Sequence, residues 1–241
     1  MSSEGIEIGA NNRVLEVRLA NPPDNRLTPS MIVGLNEAVD RLESDDFDLM
    51  LISGSRRVFS KGFDVDVIMA HRERSALMPV LVFSNAVFSR IARSPKLTIA
   101  ALGGACMGGG LELAMACHLR VCAAKTRLGL PEVWIKLVPG LGGFYRLSKL
   151  VGAAKALELV ALGDLITADE ALRLNLVSRV YPHENFSEHV ASFVNTLATA
   201  DQSAIRHVIR LAAHCASPGE EDNIRRGTES FAELVSCLPK T

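Results

Sequence analysis

The feature that most constrains this chain is an apolar run that opens into glycines and then takes in a carboxylate. Leu97-Thr98-Ile99-Ala100-Ala101-Leu102 has the uncharged character of a buried strand. The glycine triplet Gly108-Gly109-Gly110 follows, and Leu111-Glu112-Leu113-Ala114-Met115-Ala116 continues it. A helix beginning near Gly109 puts Glu112 at its third or fourth position, and its apolar remainder requires burial. A second acid, Glu132, stands after Pro131, and Pro139-Gly140-Leu141-Gly142-Gly143 closes the stretch as a turn. Taking a carboxylate out of water is expensive, and it raises the pKa toward neutrality, where general acid–base chemistry operates. Plainer readings fit the spacing too. Glu112 suits the dipole of a helix N-terminus, and Glu132 suits a turn acid paired with Arg127 or Lys136. Two acids beside glycine-rich backbone suggest proton handling next to a stabilised anion.

The flanking sequence supplies an α/β framework. Ile6 and Ile8 alternate with polar neighbours, Asn11-Asn12 signals a turn, and Val14, Leu15, Val17 and Leu19 continue as a second strand of a hairpin. Thr28 is a good N-cap with Pro29 at the first helical position, followed by Met31, Ile32, Leu35, Ala38, Val39 and Leu42 at helical spacing. Leu49 to Gly54 reads as a buried strand, so β, α and β alternate in a layered domain. Phe59-Ser60-Lys61-Gly62-Phe63-Asp64 is a loop entering a helix, and its amides can point at an oxygen. Residues 69–93 read as one helix with a charged opening, which suits either a mobile lid or an exposed helix start. Residues 144–150 and 153–162 read as helices parted by Gly152, and Thr167-Ala168-Asp169-Glu170 is a capping box. Leu174 to Tyr181 returns to β character. From Ser187 the chain is helical, with a break at Pro218-Gly219 and a last helix from about Asn223 to Leu238.

Composition removes several function classes. With 48% hydrophobic and 22% charged residues in 241, the chain can bury a sizeable core. A net charge of −1 favours neither nucleic acid nor an anionic membrane as a partner. The first residues lack the basic and apolar regions of a secretory signal, and no apolar run reaches the roughly 18 residues of a spanning helix. Five cysteines with no C-x-x-C pair point to a reducing, cytoplasmic compartment. The P-loop, dinucleotide-binding, nucleophile-elbow and H-E-x-x-H patterns are absent, and the six histidines are scattered, so no metal site is expected. Without the P-loop lysine, the glycine triplet suits half of an oxyanion hole better than a phosphate cradle.

Taken together, residues 59–64, Lys96 to Ala101, Gly108 to Ala114, Leu130-Pro131-Glu132, Pro139 to Gly143 and Arg146-Leu147 resemble the crotonase (enoyl-CoA hydratase/isomerase) superfamily. The resemblance covers nearly the whole chain. It implies a fold of repeated ββα units forming two near-perpendicular sheets, with a core over residues 1–185 and a shortened helical trimerisation region over 186–241. It implies a homotrimer or a hexamer of stacked trimers, an acyl-CoA substrate, and no cofactor beyond the coenzyme A carried by that substrate. The thioester oxygen is expected between the N–H groups of Phe63 and Gly109. Glu112 is expected to activate a water that attacks C3, and Glu132 to deliver a proton to C2; their separation is that of family hydratases. Ser60, Lys61, Gly62, Asp64, Gly108, Pro131, Trp134 and Gly140 are the expected substrate-binding residues, and Met78, Leu81, Val82 and Phe83 fit either an acyl pocket or ordinary packing.

The chain departs from the family pattern in four places. Phe63 stands where many relatives have alanine, His118 where an aspartate is frequent, and Leu97 where proline is common, and the chain stops soon after Leu238. The expected activity is hydration of a 2-enoyl-CoA. Enoyl-CoA isomerisation, dehydration of a carrier-tethered acyl thioester, and a non-catalytic RNA-binding role are the alternatives; the lack of a basic, aromatic-studded stripe argues against the last.

Overall fold

The computed structural model describes residues 4–70 and 73–214. β1 (Ile6–Asn11) and β2 (Val14–Leu19) form the antiparallel hairpin read from the sequence, turning at Asn12 with φ 52°. Thr28 caps α1 (Pro29–Glu43) by accepting the Met31 N–H at 3.3 Å. A repeated pattern then begins. β3 (Leu49–Ser53) leads to β4 (Val58–Ser60) and the helices α2 (Val65–Ala70) and α3 (Arg74–Ala92). β5 (Leu97–Leu102) leads to β6 (Ala105–Met107) and α4 (Gly109–Ala116). β7 (Leu119–Ala123) leads to β8 (Arg127–Gly129), a 3-10 turn at Pro131–Ile135, and helices α5 (Gly143–Val151) and α6 (Ala153–Leu162). β9 (Ile166–Thr167), α7 (Ala168–Arg173), β10 (Arg179–Tyr181), α8 (Phe186–Thr199) and α9 (Gln202–His214) complete the described chain.

In each repeat the first strand joins one sheet and the second joins another. The large sheet runs β1-β2-β3-β5-β7-β10, parallel throughout except for the hairpin. The small sheet runs β4-β6-β8-β9. The two sheets implied by the resemblance are therefore present, although the short strands escape a local reading. Three residues are too few to show alternation, and β4 is buried outright. The β character read from Leu174 onward condenses to Arg179–Tyr181.

One face of the large sheet packs into the main core with α1, α3 and α4, through residues such as Leu15, Met50, Phe59, Phe88 and Leu113. The other face packs against α8 and α9, where Val14, Ile99 and Val121 meet Phe186, Val190 and Val194. The helix expected over 69–93 is two helices, and part of its charged opening lies outside the described residues, as does the last helix expected from Asn223. One expectation is corrected. Ser75–Ala92 is long and apolar enough to cross a membrane by length and composition. A search for an apolar run passes over it, because three serines, Asn85, Pro79 and Arg90 interrupt the apolar residues. Val87, Phe88 and Ile91 of this helix are fully buried in the main core.

Candidate active site

The site forms where β4 and β6 hand over to their helices. A parallel bridge joins Leu27 to Phe63: the Leu27 N–H donates to the Gly62 carbonyl at 2.8 Å, and the Asp64 N–H donates to the Leu27 carbonyl at 2.9 Å. In that geometry the N–H of Phe63 itself points away from residue 27. It faces the start of α4, for a Cβ placed on Gly109 would lie 3.1 Å from the Phe63 nitrogen. Gly109 opens α4, whose first intrahelical bond runs from the Glu112 N–H to the Gly108 carbonyl, so the Gly109 amide has no partner within the helix. The two expected oxyanion donors thus stand side by side. Gly108, with φ 51° and ψ −130°, takes a conformation open only to glycine and turns β6 into α4. The Phe63 side chain is half-buried against the main core.

Glu112 is the fourth residue of α4 and is 2% exposed. Its carboxylate does not serve its own helix N-terminus. Oε1 accepts the Leu141 N–H at 2.7 Å and the Gly143 N–H at 2.8 Å, both from the Pro-Gly-Leu-Gly-Gly turn. Burial pushes its pKa up to about 7, the negative charge of Glu132 adds to the rise, and the two amides and Arg146 oppose it. Glu132 lies on the 3-10 turn, and a Cβ placed on Gly108 would sit 3.1 Å from its Oε1. Burial raises this pKa as well. Its Oε2 is buried without a hydrogen-bond partner, and among the described residues Glu132 forms no ion pair with Arg127 or Lys136. The pairing expected of Glu132 is therefore absent among the described residues, while Glu112 does stand in the first turn of α4, where the helix dipole favours an acid. A buried and a half-buried carboxylate, both with raised pKa, flank the N-terminus of α4, beside two adjacent amide groups.

The other expected residues fall into two groups. Gly62 (φ 101°) and Ser60 belong to the site's framework. The Ser60 hydroxyl accepts the Gly62 N–H at 3.2 Å, and Ser60 is packed so tightly against Gly110 that a Cβ there would come within 2.6 Å of it. Pro131 starts the turn that carries Glu132. Further out, Lys61 pairs with Asp24 at 2.9 Å, and Asp64 caps α2 through the Asp66 N–H at 2.9 Å. The Gly140 carbonyl accepts from Asn85 Nδ2 at 3.0 Å. Trp134 is 74% exposed, with its indole lying over Gly163 at the end of α6. Met78, Val82 and Phe83 are exposed on α3.

A family model described as enoyl-CoA hydratase/isomerase matches residues 9–236. The chain belongs to this family. A probable enoyl-CoA hydratase of Bacillus subtilis (strain 168) is 38% identical over 174 residues, 72% of this chain and 67% of that protein. A peroxisomal fatty acid beta-oxidation multifunctional protein of Arabidopsis thaliana is 38% identical over 179 residues, 73% of this chain but 25% of that protein. The chain thus spans about a quarter of such multifunctional relatives. The crystal structure of an enoyl-CoA hydratase from Thermoplasma volcanium GSS1 superposes with a TM-score of 0.90 at 27% identity, covering 98% of this chain and 94% of that one. The crotonase fold expected from the sequence is the fold observed.

Within this enoyl-CoA hydratase/isomerase architecture, sequence reasoning overlooked the residues that hold the site together. Leu141 and Gly143 were legible only as a turn, because their contact to Glu112 spans about thirty residues of chain. Asn25, 4% exposed, donates from Nδ2 to the Val58 and Phe59 carbonyls and so braces the strand that leads to Phe63. It sits in a Pro-Pro-Asp-Asn segment that reads simply as a loop.

Proposed function

We propose that the chain is a 2-enoyl-CoA hydratase, adding water syn across the 2,3 double bond of an acyl-CoA thioester. The observation that carries this reading is the pairing of two pKa-raised carboxylates, Glu112 buried and Glu132 half-buried, with two adjacent amide groups. The thioester oxygen sits between the Phe63 and Gly109 N–H groups, which stabilise the charge it gains as C3 is attacked. Each such donor is typically worth about 3 kcal/mol in the transition state. Glu112 enters as the carboxylate, since two N–H bonds at Oε1 favour its charged form. It takes a proton from water as the water oxygen bonds to C3. Glu132 enters as the acid, since its Oε2 has no donor among the described residues to stabilise a charge there. It gives its proton to C2 as the enolate collapses. The pair holds one proton before and after the addition, and titrates as a unit.

Coenzyme A comes with the substrate, so the residues need no resident cofactor. The exposed apolar side chains Val133, Trp134, Val138, Phe144, Tyr145 and Leu157 suit contacts with further copies in a homotrimer or a hexamer. Cys106, Cys117 and Cys122 are buried free thiols, in keeping with a reducing, cytoplasmic setting. The test is hydration of crotonyl-CoA, followed by loss of enoyl absorbance. Glu112→Gln and Glu132→Gln are each expected to abolish turnover while binding of a saturated acyl-CoA is retained. Full turnover in either variant would refute the two-acid mechanism.

A further inference from the structure

Outside the proposed acids and amides, α5 carries a cation that the mechanism leaves without a task. Arg146 is half-buried, and its Nη1 donates to the Leu141 carbonyl at 2.5 Å. The same residue, Leu141, donates its N–H to Glu112 Oε1. The turn therefore has two polar sides. The amides of Leu141 and Gly143 face the carboxylate, while the carbonyls of Gly140 and Leu141 are held by Asn85 on α3 and by Arg146. The guanidinium also packs under Gly142, where an added Cβ would lie 2.5 Å from Nη1. Gly142 has φ 82°, so this peptide is bent sharply around the arginine.

From this geometry we propose that Arg146 is a positioning residue: it fixes the 141–143 turn that orients Glu112 and sets a positive charge behind the peptide that holds this buried glutamate. The proposal rests on the hydratase reading only for the use made of Glu112, not for the coupling itself. Two further observations support it. Arg146 and Glu112 each shift the other, Arg146 lowering the Glu112 pKa and Glu112 raising that of Arg146 against the effect of burial. Among the described residues, the charged and titratable groups facing the pair are few: Glu132 faces Glu112 from the 3-10 turn, and Cys117 and Tyr145 face Arg146. Of these, Arg146 alone is a cation. A hydrogen bond from a neutral donor to Leu141 would hold the turn, but it would not offset Glu132.

The experiment measures the Glu112 carboxyl pKa directly, by carbon-13 resonances of labelled glutamate assigned with Glu112→Gln, in wild type, Arg146→Gln and Arg146→Lys. Gln keeps a donor for the Leu141 carbonyl but removes the charge, and Lys keeps the charge but loses the fork. Arg146→Gln is expected to raise the Glu112 pKa by about one unit, the low end for loss of a neighbouring opposite charge. Arg146→Lys is expected to hold it at the wild-type value. The acid limb of kcat/KM for crotonyl-CoA is expected to move up with the pKa in Gln and to stay in place in Lys. An unchanged pKa in Arg146→Gln overturns the proposal, and so does an equal rise in Arg146→Lys, which would leave charge out of the cause. Should Arg146→Gln fail to fold, Arg146→Met, which also removes the charge, takes its place, and an unchanged Glu112 pKa there overturns the proposal. An inactive wild type whose pKa still follows the charge would sink the hydratase reading and leave this coupling standing.

Discussion

Gly143→Ala tests whether the placement of Glu112, as distinct from its presence, sets the rate. Gly143 opens α5 with an ordinary helical backbone, so alanine meets no conformational strain there. The added Cβ would lie 2.7 Å from Glu112 Oε1 and 2.8 Å from the Pro139 side chain. Ordinary contact begins near 3.4 Å, so the carboxylate must retreat by about 0.7 Å and the Gly143 N–H bond is stretched or lost. A displacement approaching 1 Å in a reacting group costs about 10²-fold, or roughly 2.7 kcal/mol of barrier. That agrees with the ~1.5–3 kcal/mol of a hydrogen bond to a charged group. Overpacking costs the fold ~1–3 kcal/mol, offset by about 1 kcal/mol of helix propensity, so the protein stays folded. Steady-state hydration of crotonyl-CoA should show kcat down about 10²-fold with little change in saturated acyl-CoA affinity. Gly9→Ala, where the new methyl meets nothing within 4 Å, is the control for an added methyl. Wild-type kcat in Gly143→Ala would refute the argument that the turn's close fit places the carboxylate.

Two other predictions concern pH. The folded-state pKa of Glu112 is raised from 4.5 to about 7, so its ionisation costs stability, present as pH rises from 4.5 through 7. Glu112→Gln should therefore stabilise the fold at pH 8, by at most ~3 kcal/mol, and much less at pH 4.5, as read by urea denaturation at both pH values; equal effects at both would contradict the burial of a charge. His118 behaves oppositely. Its Nδ1 accepts the Thr98 N–H at 3.1 Å, and burial first, then Arg120, lowers its pKa from 6.5 to about 4. Stability from the neutral ring is fully present above pH 6.5 and is lost as pH falls through 4, by up to ~3 kcal/mol. His118→Asn, with an amide oxygen to accept the same N–H, should flatten that loss in acid thermal melts; an unchanged slope would place the acid sensitivity elsewhere.

The sequence was most informative where several local signals agreed. An all-apolar helix interrupted by one glutamate, after a triple glycine, is hard to reconcile with anything but a buried site, and α4 is buried along its whole length. Caps at Thr28 and Thr167 were equally legible, because a cap is a local hydrogen bond. The small sheet was not, because its strands are two or three residues long and are defined by partners far along the chain. The partners of Glu112 were hidden for a related reason. Amides carry no residue identity, so nothing in the letters of Leu141 or Gly143 announces a donor aimed at α4. Trp134 shows the reverse: its neighbour Glu132 turns inward, yet the indole lies on the surface over Gly163.

The proposed site would draw its donors mostly from peptide groups: the N–H groups of Leu141 and Gly143 bind Glu112, and those of Phe63 and Gly109 are the proposed oxyanion donors. A scan that truncates side chains one at a time leaves all four donors in place. At Phe63 and Leu141, where a Cβ is already accommodated, such a scan records packing and nothing of the chemistry. Only replacements that alter the peptide itself, such as proline or an amide-to-ester exchange, expose those two positions. A change of side chain at 63 can therefore proceed without touching the amide that the position contributes.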